Sequence, residues 1–239
     1  MEKRELLYEG KAKRIYATGD QNVVWAEYKD SATALNGEKK EEIVGKGVLT
    51  NGITSLLFKK LHQAGIPSHF IEQISDTEQL VQKVTIIPLE VVTRNVVAGS
   101  LSKRLGIKEG QPLKKPIVEF YYKDDALGDP LLTGSHIQEL ALASVEDVQL
   151  LKQRALEVNT VLSSIFAEIG VRLIDFKLEF GKLEDGEILL ADEISPDTCR
   201  LWDAETEEKL DKDVFRRDLG NLVEGYKTIY SKLGGRQYV

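Results

Sequence analysis

Cysteine occurs once in this chain, as Cys199, and there are only three histidines. A single thiol cannot build an internal disulfide framework, and the histidines form no Cys/His cluster for zinc. Long apolar runs are missing too: none approaches the ~18 residues of a membrane span. The opening residues, MEKRELLYEGKAKRIY, carry no apolar signal core, so the expected location is the cytoplasm. Surplus positive charge is also lacking. With 32 Lys and Arg against 39 Asp and Glu, the net charge is −7, which argues against a nucleic-acid or other polyanion partner. Neither G-x-x-x-x-G-K-[ST] nor G-x-G-x-x-G is present. Ser135 and His136 adjoin without a G-x-S-x-G elbow, so a Walker loop, a dinucleotide fingerprint and a hydrolase triad all lack support.

What is present is ample core material in 239 residues, arranged around the stretch from Val171 to Arg200. At period two, VRLIDFKLEFG places Ile174, Phe176, Leu178 and Phe180 on one side and Asp175, Lys177 and Glu179 on the other. Glu184-Asp185-Gly186 is turn chemistry, so EILLADEI is expected to return antiparallel beside it. One simple register sets Glu179 opposite Asp192, where like charges roughly 5 Å apart at Cβ repel. Two such carboxylates suit a hard cation such as Mg²⁺; a solvated charged face is the alternative. Ser195, Asp197 and Arg200 bring further polar groups to the same strand end.

Leu6 to Tyr28 reads as a β-meander with a turn at Gly19-Asp20, and Gly10-Lys11-Ala12-Lys13 lies within it. A glycine followed by two lysines on one strand face can wrap N–H groups and ammonium charges around phosphates, although taken alone such a motif is more often a plain surface hairpin tip. Asp30 to Gly37, including Ser31 and Asn36, reads as a polar loop. Gly47 to Ala64 has helical spacing, and His62 and His69 read as ordinary histidines. Val84 to Ser100 reads as a strand interrupted by Pro88, then a second strand ending at Ala98-Gly99-Ser100. Arg94 breaks its apolar run and needs an anionic partner, either a substrate phosphate or carboxylate or an internal ion pair. Leu101 to Thr133 reads as short strands and loops, among them Lys123-Asp124-Asp125 and Gly128-Asp129-Pro130. Ser144 with Asp147 is a capping box opening a core helix to Ile169, and Lys212 to Arg217 opens a last helix that buries Leu219, Leu222, Val223, Tyr226 and Ile229. The expected boundary separates a small β-rich lobe, 1–84, from a larger α/β lobe, 85–239.

A Gly-Lys-x-Lys tip, an Arg with Gly-Ser, and two metal-capable carboxylates are the parts of a Mg·nucleotide site between two lobes. Phosphoryl transfer runs mainly on positioning and charge neutralisation, so it needs these groups more than a nucleophilic side chain. The residues by themselves thus point to an ATP-dependent enzyme acting on an anionic small molecule. A kinase-like phosphotransferase would share the lysines and carboxylates but needs an H-R-D catalytic loop, which is absent. A non-catalytic nucleotide-binding regulator would have no use for the second anion grip.

From YEGKAKRIY through DSATALNG, IPLEVVTRNVVAGS, LIDFKLEFG and ADEISPDTCRLWD to LDKDVFR, the chain resembles the SAICAR synthetase family of de novo purine synthesis. The resemblance runs the length of the chain. It implies an α/β (α+β) two-lobe fold whose small lobe is similar to ATP-grasp enzymes and protein kinases. It also implies condensation of carboxyaminoimidazole ribonucleotide (CAIR) with L-aspartate, driven by ATP with Mg²⁺. On that basis Gly10, Lys11, Ala12 and Lys13 would embrace the ATP phosphates, and Glu179 and Asp192 would hold Mg²⁺. Arg94, Ser100 and Arg200 would bind the ribonucleotide phosphate, Lys177 would face the imidazole carboxylate, and Asp175 would orient that end. Asp30, Ser31, Asn36, Lys123 and Asp129 are candidates for the aspartate pocket. The implied partners are small molecules, with neither nucleic acid nor membrane, and a homodimer stays open.

Overall fold

Val24, Ala26 and Tyr28 are buried while Val23, Trp25 and Glu27 are half-covered, the alternation of a strand with one face on the core. In the computed structural model, which describes residues 1–34 and 39–236, this strand completes the expected antiparallel meander. Its members are β1 (Leu6–Glu9), β2 (Lys13–Ala17) and β3 (Val23–Tyr28). The expected loop after it begins instead as β4 (Ser31–Ala34), which pairs with β5 (Lys39–Glu42); Asn36 lies outside the described residues. The base of this hairpin is pinned because the Asp30 carboxylate accepts from the N–H groups of Gly45 at 3.1 Å and Gly47 at 2.8 Å. Gly47 must lack a side chain, since a Cβ there would lie 2.8 Å from the Tyr28 carbonyl oxygen.

After α1 (Lys46–Gln63), β6 (Phe70–Gln73) and β7 (Glu78–Gln82) extend the first sheet to the order β1-β2-β3-β7-β6. A second sheet follows. The stretch expected as two strands broken at Pro88 is one strand, β8 (Thr85–Val96). Its pairing with the central strand shifts register between Glu90 and Ile86, so Pro88 sits in a bulge where its missing N–H costs no ladder bond. Gly99-Ser100 does not end a strand but opens α2 (Gly99–Leu105), and the short strands expected next are one long strand, β9 (Pro112–Tyr122). Then come β10 (Leu131–Leu132), α3 (Gly134–Glu139) and α4 (Val145–Glu168). The last has the reciprocal Ser144–Asp147 capping box that its sequence spells out.

The central strand is β11 (Val171–Lys182), with β12 (Ile188–Ala191) returning antiparallel on one side and β13 (Cys199–Asp203) pairing near its start. The sheet order is β10-β9-β8-β11-β12 with β13 off the path. Phe176, Leu178 and Phe180 enter the main core as expected, but Ile174 does not. A register shift between Leu173 and Asp175 puts Leu173 in the main core and sends Ile174 to a separate cluster with Val96, Ala98 and Trp202. The expected last helix is two: α5 (Asp213–Arg216) and α6 (Leu222–Lys232). Asp218 at φ 53° and Gly220 at φ 149° break it, Asn221 caps the second piece, and Leu219 is left exposed.

The main core is shared across the chain: Ile53, Leu57 and Leu61 of α1 meet Leu151, Val158 and Leu162 of α4 over the apolar face of β11. Each such fully buried side chain stabilises the fold by roughly 1.5–3 kcal/mol. Covering that face leaves the polar face of β11 turned toward the first sheet. Among the described residues no helix is long and apolar enough to cross a membrane.

Candidate active site

Between the sheets lies a cleft of about 1000 Å³. Asp175, Lys177 and Glu179 project into it from alternate positions of β11, as the period-two reading requires. The Glu179 Oε1 atom accepts from Lys177 Nζ at 2.6 Å and Lys123 Nζ at 2.9 Å, and Lys177 also donates to Glu90 at 2.9 Å. Burial by itself would discharge Lys177, but the carboxylates of Glu179, Glu90 and Asp192 raise its pKa well above the usual lysine value. Its ammonium therefore stays charged within the cleft.

Glu179 is not opposite Asp192: its register partner is Ala191. A slip of one residue inside a strand would turn Asp192 to the wrong face. It does not here, because Asp192 lies just past the end of β12 in the left-handed region, φ 59°, and its side chain also lines the cleft. There its carboxylate accepts a hydrogen bond from Lys13, the first residue of β2. Burial would raise the Asp192 pKa; the charges of Lys13 and Lys177 override it and hold the group below the usual carboxylate range. Lys13 also lies 3.4 Å from Glu193 Oε2, a buried oxygen without a hydrogen-bond partner, and burial pushes the Glu193 pKa up.

Gly10, Lys11 and Ala12 complete the cleft rim at the turn between β1 and β2, where Lys11 pairs with Asp125 at 2.5 Å. Behind this rim Ile15, Val24, Ala26 and Val81 form an apolar slot. Glu179 and Asp192 supply oxygen donors of the kind Mg²⁺ takes, an ion that commonly uses one or two carboxylates and fills its shell with phosphate oxygens and water. Among the described residues no group of three or more His, Cys, Asp or Glu side chains is arranged to hold a metal ion.

The other end of the cleft is built on arginines. Arg94, 4% exposed, donates from Nη1 to Asp175 at 2.6 Å, from Nε to Glu119 at 3.0 Å and from Nη2 to Ser100 Oγ at 3.1 Å. The internal ion pair foreseen for it is thus made, with its guanidinium still lining the cleft. Arg200 reaches the same Asp175 carboxylate through Nη1 at 2.9 Å and Asp213 through Nε at 3.0 Å. Its Nη2 lies over Gly99, where a Cβ would come within 2.5 Å. Asp213 also holds Arg216 at 2.8 Å and Arg217 at 3.1 Å. Burial opposes ionisation of Asp213, but Arg200 and Arg216 bring its pKa down to about 2.

The sign of that shift makes a prediction. In the unfolded chain an Asp titrates near 3.9. Asp213 therefore contributes stability that is complete above pH ~4, on the order of 2 kcal/mol, and is lost as pH falls toward ~2. Urea unfolding of the wild type and Asp213→Asn should show a stability gap at pH 6 that narrows between pH ~4 and ~2. A gap constant over that window would refute it. Neighbouring Asp211, pushed up to about 7 by burial and by the Asp213 charge, is already protonated throughout it.

Of the residues read from sequence, Gly10 to Lys13, Arg94, Ser100, Lys123, Asp129, Asp175, Lys177, Glu179, Asp192 and Arg200 share the one cleft. Asp30 and Ser31 do not line it: Asp30 is spent on Gly45 and Gly47, and Ser31 is buried. Glu90, His69, Glu193, Lys212 and Arg216 line it without having been foreseen. Glu90 was legible, since it alternates with Val92 and Arg94 on one strand. His69 was not; burial, followed by the Lys13 charge, lowers its pKa to about 4, so its ring is neutral.

Comparison with known proteins places these residues in context. The family model described as SAICAR synthetase matches residues 6–233. Phosphoribosylaminoimidazole-succinocarboxamide synthase of Bacillus cytotoxicus is 66% identical over 239 residues, covering 100% of both chains. That of Lysinibacillus sphaericus is 66% identical over 236 residues, 99% of this chain and 100% of its own. Among solved structures, the synthase of Ehrlichia chaffeensis superposes with a TM-score of 0.95 at 48% identity, covering 98% of this chain and 100% of the other. A SAICAR synthetase in complex with ADP superposes at 0.94, with the same identity and coverage.

Proposed function

The chain belongs to the SAICAR synthetase family, and from that premise we infer that it condenses CAIR with L-aspartate, converting ATP to ADP and phosphate and releasing SAICAR. The observation that carries this reading is the 66% identity over the whole length, joined to a cleft with a separate anion grip at each end.

We propose that the adenine enters the apolar slot of Ile15, Val24, Ala26 and Val81, and that Gly10, Lys11, Ala12 and Lys13 hold the phosphates. Glu179 and Asp192 would hold Mg²⁺, which when bound neutralises charge on the ATP phosphates. At the other end Arg94, Ser100 and Arg200 take the ribonucleotide phosphate, and Asp175 sets the angle of both guanidiniums. Lys177 lies between the two ends and holds the CAIR carboxylate by charge. A carboxylate oxygen attacks the γ-phosphorus, the bond to the β-phosphate oxygen breaks, and ADP leaves. The amine of aspartate then attacks the acyl carbon and loses a proton, the bond from that carbon to the bridging oxygen breaks, and phosphate departs with the carboxylate oxygen that had attacked the phosphorus. Lys123 and Asp129 on the cleft wall stay candidates for the aspartate pocket, as does Asn36, which lies outside the described residues. The division at residue 85 and a cytoplasmic location complete the proposal.

The test follows ADP, phosphate and SAICAR with CAIR carrying heavy oxygen in its carboxylate. SAICAR should form only when L-aspartate is present, with one labelled oxygen appearing in each phosphate. Phosphate free of label would exclude the acyl-phosphate route, and ADP release indifferent to CAIR would overturn the assignment as a whole.

A further inference from the structure

Asp192 occupies a backbone conformation, φ 59°, that suits glycine or asparagine better than aspartate. Residues held there persist only where their surroundings over-determine them, and such places cluster at functional sites. His69 lies against this turn. The His69 backbone N–H donates to the Leu190 carbonyl at 2.8 Å, and Ser68 bridges to Leu190 in parallel. Its ring Nε2 lies 3.2 Å from the Asp192 carbonyl oxygen. A carbonyl only accepts, so Nε2 must carry a proton. The ring is itself fixed, edge-on to Phe58 with centroids 5.7 Å apart, and the His69 carbonyl is tied to the Gln82 N–H of β7 at 2.6 Å. One residue between α1 and β6 thus meets the end of β12 twice, Leu190 within the strand by backbone and Asp192 just past it by ring.

We propose that His69 is a positioning residue of the reaction: its Nε2–H bond to the Asp192 carbonyl holds Asp192 in the left-handed conformation that aims its carboxylate at Lys13 and the nucleotide end of the cleft. The proposal rests on the reading of Asp192 given above. It accounts for a buried histidine that lines the cleft with its ring turned to a backbone carbonyl. It also accounts for an aspartate where glycine would be the unstrained choice: the carboxylate is needed, and His69 keeps it in place.

Two substitutions and one measurement on the unaltered protein test it. His69→Leu removes the donor at similar volume, and His69→Gln keeps an amide donor at similar reach. His69→Leu should lower both kcat and the calorimetric affinity for ADP with Mg²⁺ on the order of 10- to 100-fold, as loss of an orienting partner does, with KM for CAIR unchanged. His69→Gln should recover most of both. Because His69 acts through Asp192, His69→Leu added to Asp192→Ala should cost little more than Asp192→Ala alone. Ring nitrogen NMR of the wild type should show the proton on Nε2, an outcome that does not depend on the leucine variant folding. An Nδ1–H tautomer, additive losses in the double variant, or unaltered ADP affinity in His69→Leu beside a loss in Asp192→Ala would overturn the His69 proposal alone. Full affinity and activity in Asp192→Ala would overturn the reading of Asp192, and this proposal with it.

Discussion

Lys177→Met is expected to fold, to bind ADP as the wild type does, and to lose turnover by roughly 10²–10³-fold, the scale seen when one preorganised charge or donor is removed from a transition state. Methionine keeps most of the apolar stem, so packing against β8 and β11 survives. The electrostatic change is confined, because Glu179 retains Lys123 at 2.9 Å when Lys177 is gone. Glu90 loses its ammonium partner, and Asp192 loses one nearby positive charge but keeps its hydrogen bond from Lys13. The loss should appear in kcat and in kcat/KM alike, since the contact strengthens as charge moves from the CAIR carboxylate to the phosphoryl group. Steady-state kinetics beside ADP calorimetry decide it. A variant with kcat within a few-fold of wild type would remove Lys177 from the chemistry and leave it as a counter-ion of Glu179.

Asp175→Ala should have the largest effect on stability. The carboxylate is buried, 3% exposed, and neutralises two guanidiniums at once: Arg94 at 2.6 Å and Arg200 at 2.9 Å. Removing one member of a buried charge cluster leaves the others uncompensated and commonly costs about 3–5 kcal/mol. Glu119 and Asp213 remain on the outer sides of Arg94 and Arg200, which places the expected loss near ~3 kcal/mol. Denaturant unfolding measures that loss. In the fraction that stays folded, KM for CAIR should rise while ADP affinity holds, because the two anion grips are built on different strands. A CAIR-side phosphate should partly restore stability by binding the freed guanidiniums. Unchanged stability would mean that Arg94 and Arg200 find other anions once Asp175 is gone.

Much of the site was visible along the chain because its parts are short-range. The Gly10–Lys13 tip lies between two strands that pair with each other, and the Asp175, Lys177, Glu179 face follows from the period of one strand. The Ser144–Asp147 box is likewise local, and it formed as spelled. Errors came where local signals met tertiary demands. Pro88 reads as a strand break until the bulge against β11 removes the need for its N–H, and Lys212 to Ile229 keeps a helical stripe through the break at Asp218 and Gly220. Asp30, read as a loop residue near a substrate, is instead held by the N–H groups that open α1.

By itself the sequence determined the family and the face on which the charges of β11 lie, and it named the lysines and arginines that line the cleft, all from residue type and spacing within a segment. Only the tertiary structure decided which cation each carboxylate holds. Lys13 and Asp192 stand 179 positions apart, and Glu179 faces Ala191 because strand register is set by how the two apolar faces fit, not by the charges at the end. The left-handed turn that brings Asp192 back into the cleft, and the histidine from a distant segment that holds it, have no signature along the chain. Their cause is the packing of α1, β6 and β12 against one another, and that contact exists only once the chain has folded.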